Sequence, residues 1–299
     1  MNKKIGFIGL GRMGRNMVLN LLSKKYKVIV YNRDIEKVKE MEKEGAIGAY
    51  SLEELVNKLG KEKIIIMMIT AGKPIDEVIS GLSGFLSKGD ILIDGGNSFY
   101  EDSVRRYELL NKKGINYLDM GTSGGLEGAR NGACLTIGGE KNSFDKIEFL
   151  FRDLATKNGY AYLGDSGSGH FAKMIHNGIE YSLLESYAEG FELLAKSKYK
   201  FNYSDVSKVW SNGSVIRSWI TELAERVFRK NPELKDIKGV IGGGETGSWA
   251  YNFAKKTGAD ADCLKHAIEK RKESEKKQSF GTKLIALLRN EFGGHEVKK

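Results

Sequence analysis

The stretch Lys4-Ile5-Gly6-Phe7-Ile8-Gly9-Leu10-Gly11-Arg12-Met13-Gly14 decides the fold. A short apolar run ends in G-x-G-x-x-G, and Met17, Leu21 and Leu22 behind it follow a helical spacing. Between a strand and a helix the three glycines have separate tasks. The first allows a tight turn, the second lets backbone approach a pyrophosphate, and the third lets helix pack on strand. The phosphate then sits at a helix N-terminus, where unpaired amides favour an anion. A dinucleotide site at Gly9, Leu10, Gly11, Arg12, Met13 and Gly14 is expected.

The following segments repeat this alternation. Residues 27–31, 63–69, 90–94 and 115–119 are short apolar runs separated by helical patterns at 35–41, 52–59, 75–86 and 103–112. Such βαβ units imply right-handed crossovers and a mainly parallel sheet. Residues 134–138 and 160–163 add strands, with a helix at 143–154 between them. Ligands bind beyond the carboxyl ends of such strands, an edge that holds Thr70, Ala71, Gly72, Asn97 and Ser98. The second strand ends at Asn32-Arg33-Asp34, with Asn32 where an NAD site usually carries an acid. Arg33 suits a 2′-phosphate, so NADP is favoured. Asp34 keeps NAD possible, or serves only as a helix N-cap.

Residues 120–132 read Met-Gly-Thr-Ser-Gly-Gly-Leu-Glu-Gly-Ala-Arg-Asn-Gly. So many glycines let amides approach an anion, with the Ser123 hydroxyl beside them; a flexible hairpin is the other reading. After residues 164–169 the strand signals stop and helical patterns run to the end, at 172–197, 204–210, 216–230, 246–258, 261–277 and 283–290. The expected fold is therefore α/β: a Rossmann-type, doubly wound, mainly parallel domain over 1–166, followed by an all-α domain over 167–299.

At 299 residues the chain can bury two cores. Its net charge of +9 comes mostly from lysines scattered among glutamates, as in 265–277, which reads as a solvated surface and not a nucleic-acid groove. No apolar span approaches twenty residues, so no membrane segment is expected. The two cysteines, Cys134 and Cys263, provide neither a disulfide framework nor metal-ligand spacing and suit a reducing cytoplasm.

The first helical stretch of the second half carries the chemistry. In Gly169-His170-Phe171-Ala172-Lys173-Met174-Ile175-His176-Asn177-Gly178-Ile179-Glu180, a helix places Lys173, His176, Asn177 and Glu180 in one wedge. A solvated charged patch is the plain reading. The stripe continues through Leu184, Tyr187, Phe191 and Leu194, however, which argues for a covered face. A lysine and an acid facing a nicotinamide suggest oxidation of a hydroxyl. Lysine would take its proton while hydride leaves, and Glu180 would return a proton later.

These residues resemble decarboxylating 6-phosphogluconate dehydrogenases, in the shorter bacterial form of that family. The likeness rests on Lys173-x-x-His176-Asn177-Gly178-Ile179-Glu180-Tyr181, the Asp94-Gly95-Gly96-Asn97-Ser98 loop and Ser123-Gly124-Gly125. Val215-Ile216-Arg217-Ser218-Trp219 and Arg289-Asn290-Glu291-Phe292-Gly293-Gly294-His295 extend it to the tail. The resemblance implies that Lys173 is the base and then the acid in a hydride transfer and decarboxylation, and that Glu180 protonates C1 of the resulting enediol. No metal is implied, because a β-keto group is the electron sink. Asn97, Ser123, Gly124, Gly125, His176 and Asn177 would hold the sugar acid, and Tyr181, Arg217, Arg289 and His295 its phosphate. The family's tail arginine and histidine come from a neighbouring subunit, so a homodimer or tetramer is implied. Ser248 stands where relatives place a basic residue, and Thr70 where long-form relatives place a lysine. Two alternatives stay open: a related β-hydroxyacid dehydrogenase such as 3-hydroxyisobutyrate dehydrogenase, and a non-catalytic NADP-binding sensor.

Overall fold

The computed structural model describes residues 4–298. Its contacts divide the chain into two compact units, Met1–Met174 and Ile175–Lys299. The first is built on eight strands: β1 (Lys4–Ile8), β2 (Lys27–Tyr31), β3 (Ile47–Gly48), β4 (Ile64–Met67), β5 (Ile91–Asp94), β6 (Asn116–Ser123), β7 (Ala133–Gly139) and β8 (Ala155–Gly164). They form one sheet in the order β3-β2-β1-β4-β5-β6-β7-β8. Every neighbouring pair is parallel except β6 with β7. Between the strands lie α1 (Arg12–Ser23), α2 (Ile35–Lys43), α3 (Leu52–Leu59), α4 (Lys73–Leu82), α5 (Tyr100–Asn111), α6 (Gly125–Asn131) and α7 (Lys141–Leu154).

The strands are apolar runs because both faces of the sheet are covered. Successive side chains alternate between the faces. Phe7, Val28, Ile66 and Ile93 enter one apolar cluster with Leu21, Leu118 and Phe151. Their neighbours Ile8, Ile29, Ile65 and Leu92 enter a second cluster with Leu55 and Tyr117. Chain order reverses between β1 and β4, which places the ligand crevice at their carboxyl ends.

Two expectations for this unit need correction. The two-residue β3 is too short to leave a pattern in the sequence. The glycine-rich run is not a flexible hairpin: β6 continues to Ser123, Gly124 turns at φ 107°, α6 follows, and β7 returns antiparallel beside β6. Helix α6 forms because Ala129 has an apolar cluster to join, the one containing Met17 and Leu21.

Helix α8 (Ser168–Lys196) runs from the end of the first unit into the second. It is followed by α9 (Tyr203–Ser211), α10 (Trp219–Lys230), α11 (Glu245–Thr257), α12 (Asp262–Glu273) and α13 (Phe280–Gly293). Leu184, Ala188 and Phe191 of α8 bury against Leu223, Val227 and Phe228 of α10 and Leu284, Ile285 and Leu288 of α13. A smaller apolar cluster gathers Tyr181, Ala267 and Ile268. Reciprocal capping boxes, Ser218 with Thr221 and Ser279 with Thr282, start α10 and α13. The first of these moves the start of α10 from the expected 216 to Trp219. Among the described residues no helix is long and apolar enough to cross a membrane.

Candidate active site

At the switch point, the glycine fingerprint behaves as its spacing predicts. Gly9 sits at φ 100°, and a Cβ there would lie 2.4 Å from the Met68 carbonyl oxygen; one on Gly14 would lie 2.0 Å from that of Gly9. A Cβ on Gly11 would meet nothing within 4 Å, so backbone is open to a ligand there. Gly9, Gly11, Asn32, Arg33, Asp34, Lys37 and Thr70 line a groove of about 450 Å3. These residues fit a dinucleotide. Leu10, Arg12, Met13 and Ala71 flank this turn or the end of β4 without lining that groove.

The three residues after β2 divide their work. The Leu10 amide donates to Asn32 Oδ1 at 3.0 Å, and Asn32 Nδ2 donates to the Asp34 carbonyl at 3.2 Å. Asn32 therefore braces the glycine turn. The Glu36 amide donates to Asp34, which caps α2. Arg33 and Lys37 also line the groove, the Lys37 ammonium 3.8 Å from Asp34 Oδ2, and Lys37 is a lining residue that sequence reading missed. Its position is legible afterwards, one helical turn beyond the Arg33-Asp34 pair.

The β5 and β6 ends are locked to each other. The Thr122 amide donates to Asn97 Oδ1 at 2.9 Å, and Asn97 Nδ2 returns a bond to the Thr122 carbonyl at 3.2 Å. Asn97 adopts φ 53°, a left-handed conformation that asparagine tolerates better than most residues. Beneath it lies Arg106, 1% exposed, with Nε on Asp76 at 2.8 Å and Nη2 on the Gly72 carbonyl at 3.0 Å. Nη1 reaches Asp94 at 3.3 Å and Ser98 at 3.2 Å, and the Tyr117 hydroxyl donates to Asp94 at 2.8 Å. Burial works against the Arg106 charge, but Asp76, Tyr117 and Asp94 outweigh it and raise its pKa. Burial and then Asp94 hold the Tyr117 phenol well above its ordinary value. This network fixes the loops at the carboxyl edge.

Lys173 is 7% exposed and stands on the first turns of α8. A Cβ on Gly121 would lie 2.5 Å from that of Lys173, so glycine at this point of β6 lets the helix approach the strand. Ser123, Gly124 and Gly125 follow two residues further on. Helical geometry carries His176, Asn177 and Glu180 on the same face as Lys173, with Glu180 about 10 Å along the axis. His176 Nδ1 lies 3.1 Å from Asn177 Oδ1 and 4.0 Å from Glu180 Oε2. The His176 side chain is 44% exposed, that of Glu180 25%.

The second unit surrounds Glu180 and Tyr181 with cations. The guanidinium carbon of Arg271 lies 3.6 Å from the centroid of the Tyr181 ring, and Arg271 is 6% exposed. Burial lowers its pKa, offset in part by Tyr181, Glu180 and Glu185. Burial and then the neighbouring Arg271 charge lower that of Arg289 to about 10, with Tyr181 and Glu180 opposing. Two guanidinium groups that border one glycine turn form a ready anion cradle. The glycine turn before α11 wraps it: a Cβ on Gly243 would lie 3.3 Å from Arg289 Nη2, and one on Gly244 3.5 Å from Arg271 Cδ. Thr246 Oγ1 lies 3.2 Å from Asn177 Nδ2 and 3.4 Å from the Tyr181 hydroxyl. Ser248 donates to the Gly244 carbonyl at 2.9 Å, inside its own helix.

Arg271 and Thr246 were missed in the sequence. Arg271 lies inside 265–277, read above as solvated surface. The signal was its helical phase: Leu264, Ala267, Ile268 and Arg271 form one i, i+3, i+4, i+7 stripe. Leu284, Ile285 and Leu288 anchor α13 in the core of the second unit, and Arg289 Nη2 borders the same glycine turn as Arg271. His295 is exposed and packs edge-on to Phe292, with ring centroids 6.3 Å apart. Arg217 is exposed in the turn before α10.

Comparison with known proteins agrees with this layout. The model for the NAD binding domain of 6-phosphogluconate dehydrogenase matches residues 4–164, and that for the 6-phosphogluconate dehydrogenase C-terminal domain matches 169–298. YqeC of Bacillus subtilis, whose name assigns it provisionally to 6-phosphogluconate dehydrogenase, is 43% identical over 99% of both chains. The NAD(+)-dependent, decarboxylating 6-phosphogluconate dehydrogenase of Haloferax volcanii is 40% identical, again over 99% of both. A solved 6-phosphogluconate dehydrogenase of Plasmodium falciparum, described as apo and with NADP+ or 6-phosphogluconate, superposes with a TM-score of 0.82 at 31% identity. That alignment covers 96% of this chain and 69% of the other. Matched in both halves and similar end to end, the chain belongs to the 6-phosphogluconate dehydrogenase family.

Proposed function

We propose that the chain converts 6-phospho-D-gluconate to D-ribulose 5-phosphate and CO2 with reduction of NAD(P)+, the oxidative decarboxylation of the pentose phosphate pathway. The observation that carries this reading is Arg271 stacked on Tyr181, with Arg289 at the same glycine turn, one residue beyond Glu180 on the helix that also bears Lys173. A 3-hydroxyacid without phosphate has no use for that cradle. Bound in the groove, the nicotinamide supplies the hydride acceptor.

Neutral Lys173 takes the C3 hydroxyl proton as that carbon is oxidised to the ketone. The resulting ammonium then hydrogen-bonds the ketone oxygen, where negative charge gathers as CO2 departs. Glu180 delivers a proton to C1 of the enediol. His176 and Asn177, with Ser123 and the Gly124 and Gly125 amides, orient the carboxylate and hydroxyls, and Asn97 holds the edge at which cofactor and substrate meet. Tyr181, Arg271 and Arg289 take the phosphate. Arg217 and His295 belong to the same reading as outer phosphate ligands, His295 reaching a neighbouring subunit of a homo-oligomer. NADP is the preferred coenzyme, through Arg33 and Lys37, and the enzyme works in the cytoplasm.

Comparing 6-phosphogluconate with gluconate tests the cradle. Two charge-assisted contacts are worth about 1.5–3 kcal/mol each, so kcat/KM should fall at least ~100-fold without the phosphate. Equal turnover of both acids, or better turnover of 3-hydroxyisobutyrate, would overturn the proposal.

A further inference from the structure

Three ligand-bearing side chains outside the proposed catalytic machinery meet within the second unit. Glu185 and Glu189 stand one turn apart on α8, and His266 comes from α12. One ligand atom from each lies within 4.8 Å of the other two. His266 Nε2 is 3.3 Å from Glu189 Oε1, and both side chains are more than half exposed. That pair alone would be an ordinary surface contact.

Glu185 changes its meaning. It is 8% exposed, its carboxylate points into the cluster, and among the described residues it takes part in no hydrogen bond or ion pair. The residue is nine-tenths buried with a second carboxylate beside it, and two like charges this close repel unless a cation joins them. The nearby Lys270 pairs with Glu273 at 3.5 Å, and Arg271 is stacked on Tyr181. The cluster therefore brings two carboxylates and a histidine together.

We infer that Glu185, Glu189 and His266 bind one divalent transition-metal ion of the zinc type. Two carboxylate oxygens and one imidazole nitrogen suit Zn2+, whereas Ca2+ and Mg2+ seek six or more oxygens. Tetrahedral ligands at about 2.1 Å from the metal stand about 3.4 Å apart, so rotation of exposed side chains closes the site. The two carboxylates match the ion's charge, and water takes the fourth position. Glu185 lies one turn beyond Tyr181 on α8, and His266 five residues before Arg271 on α12. The ion would thus clamp together α8 and α12, two of the three helices that build the anion cradle, as a brace outside the reaction itself.

The test uses the full chain, stripped with a chelator and titrated with Zn2+ calorimetrically, with Co2+ absorption as a spectroscopic probe of nitrogen and oxygen ligation. One equivalent should bind per chain, and Zn2+ should raise the unfolding midpoint. His266→Ala, at an exposed position, and Glu185→Gln should each weaken binding at least tenfold and abolish the thermal shift. The exposed thiol of Cys263, three residues before His266, is the competing ligand. Cys263→Ser should leave binding unchanged. Absence of binding, or binding that survives Glu185→Gln and disappears in Cys263→Ser, would overturn the assignment.

Discussion

In the proposed mechanism Lys173 and Glu180 divide one reaction between two proton transfers, and their variants should separate accordingly. Lys173→Ala should lower kcat by 10²–10⁴-fold, the usual contribution of a positioned general base, with coenzyme affinity unchanged. Glu180→Gln should slow release of ribulose 5-phosphate more than reduction of the coenzyme; stopped-flow absorbance against product quenching distinguishes the two. Arg289 behaves differently. Its pKa of about 10 lies below the ordinary guanidinium value, so its charge costs stability at neutral pH and the cost is relieved only as pH rises past that value. A bound anion relieves it at pH 7. Inorganic phosphate should therefore raise the unfolding midpoint of the wild type and do so less in Arg289→Met. That variant should raise KM for 6-phosphogluconate ~10–100-fold without weakening the apo protein. Lys173 and Glu180 were legible because helical spacing exposes a shared face. Arg271 was hidden because a buried arginine within a run of lysines and glutamates looks like solvated surface.

The elements that position these groups were legible where burial imposes a period. β1, β2, β4 and β5 show as apolar runs because both faces are covered. α6 did not show, since glycines mask helical phase and only Ala129 needs burial. The Arg106 network was equally invisible, as no spacing announces a contact among Gly72, Asp76, Asp94 and Ser98. Removing its centre should be severe. Arg106→Leu leaves Asp94, 0% exposed, without its cation and should cost about 3–5 kcal/mol in denaturant unfolding. The same network has an acid signature. Burial would raise the Asp76 pKa, but Arg106 and Arg105 outweigh it and lower it. The stability this carboxylate contributes is therefore present above its ordinary pKa near 4 and is lost as pH falls through the lowered value. Asp76→Asn should show a smaller loss of thermal stability below about pH 4 than the wild type.

For the whole molecule, the change from strand to helix signals after residue 164 made the α/β-then-α organisation readable, since a parallel sheet and a helical bundle leave different periods. Which coenzyme is preferred was less readable, because Arg33 and Asp34 argue in opposite directions; in the structure Asp34 caps α2 and stands 3.8 Å from Lys37, and all three line the groove. The central claim is that oxidation at C3 and loss of C1 occur on this one chain, from one phosphorylated sugar acid. The most direct measurement supplies 6-phosphogluconate labelled at C1 with NADP+ or NAD+ and follows reduced coenzyme and labelled CO2 together. One labelled CO2 per reduced coenzyme, with better kcat/KM for NADP+, is predicted. Coenzyme reduction without labelled CO2, or no reduction with this substrate beside ready turnover of 3-hydroxyisobutyrate, would contradict it.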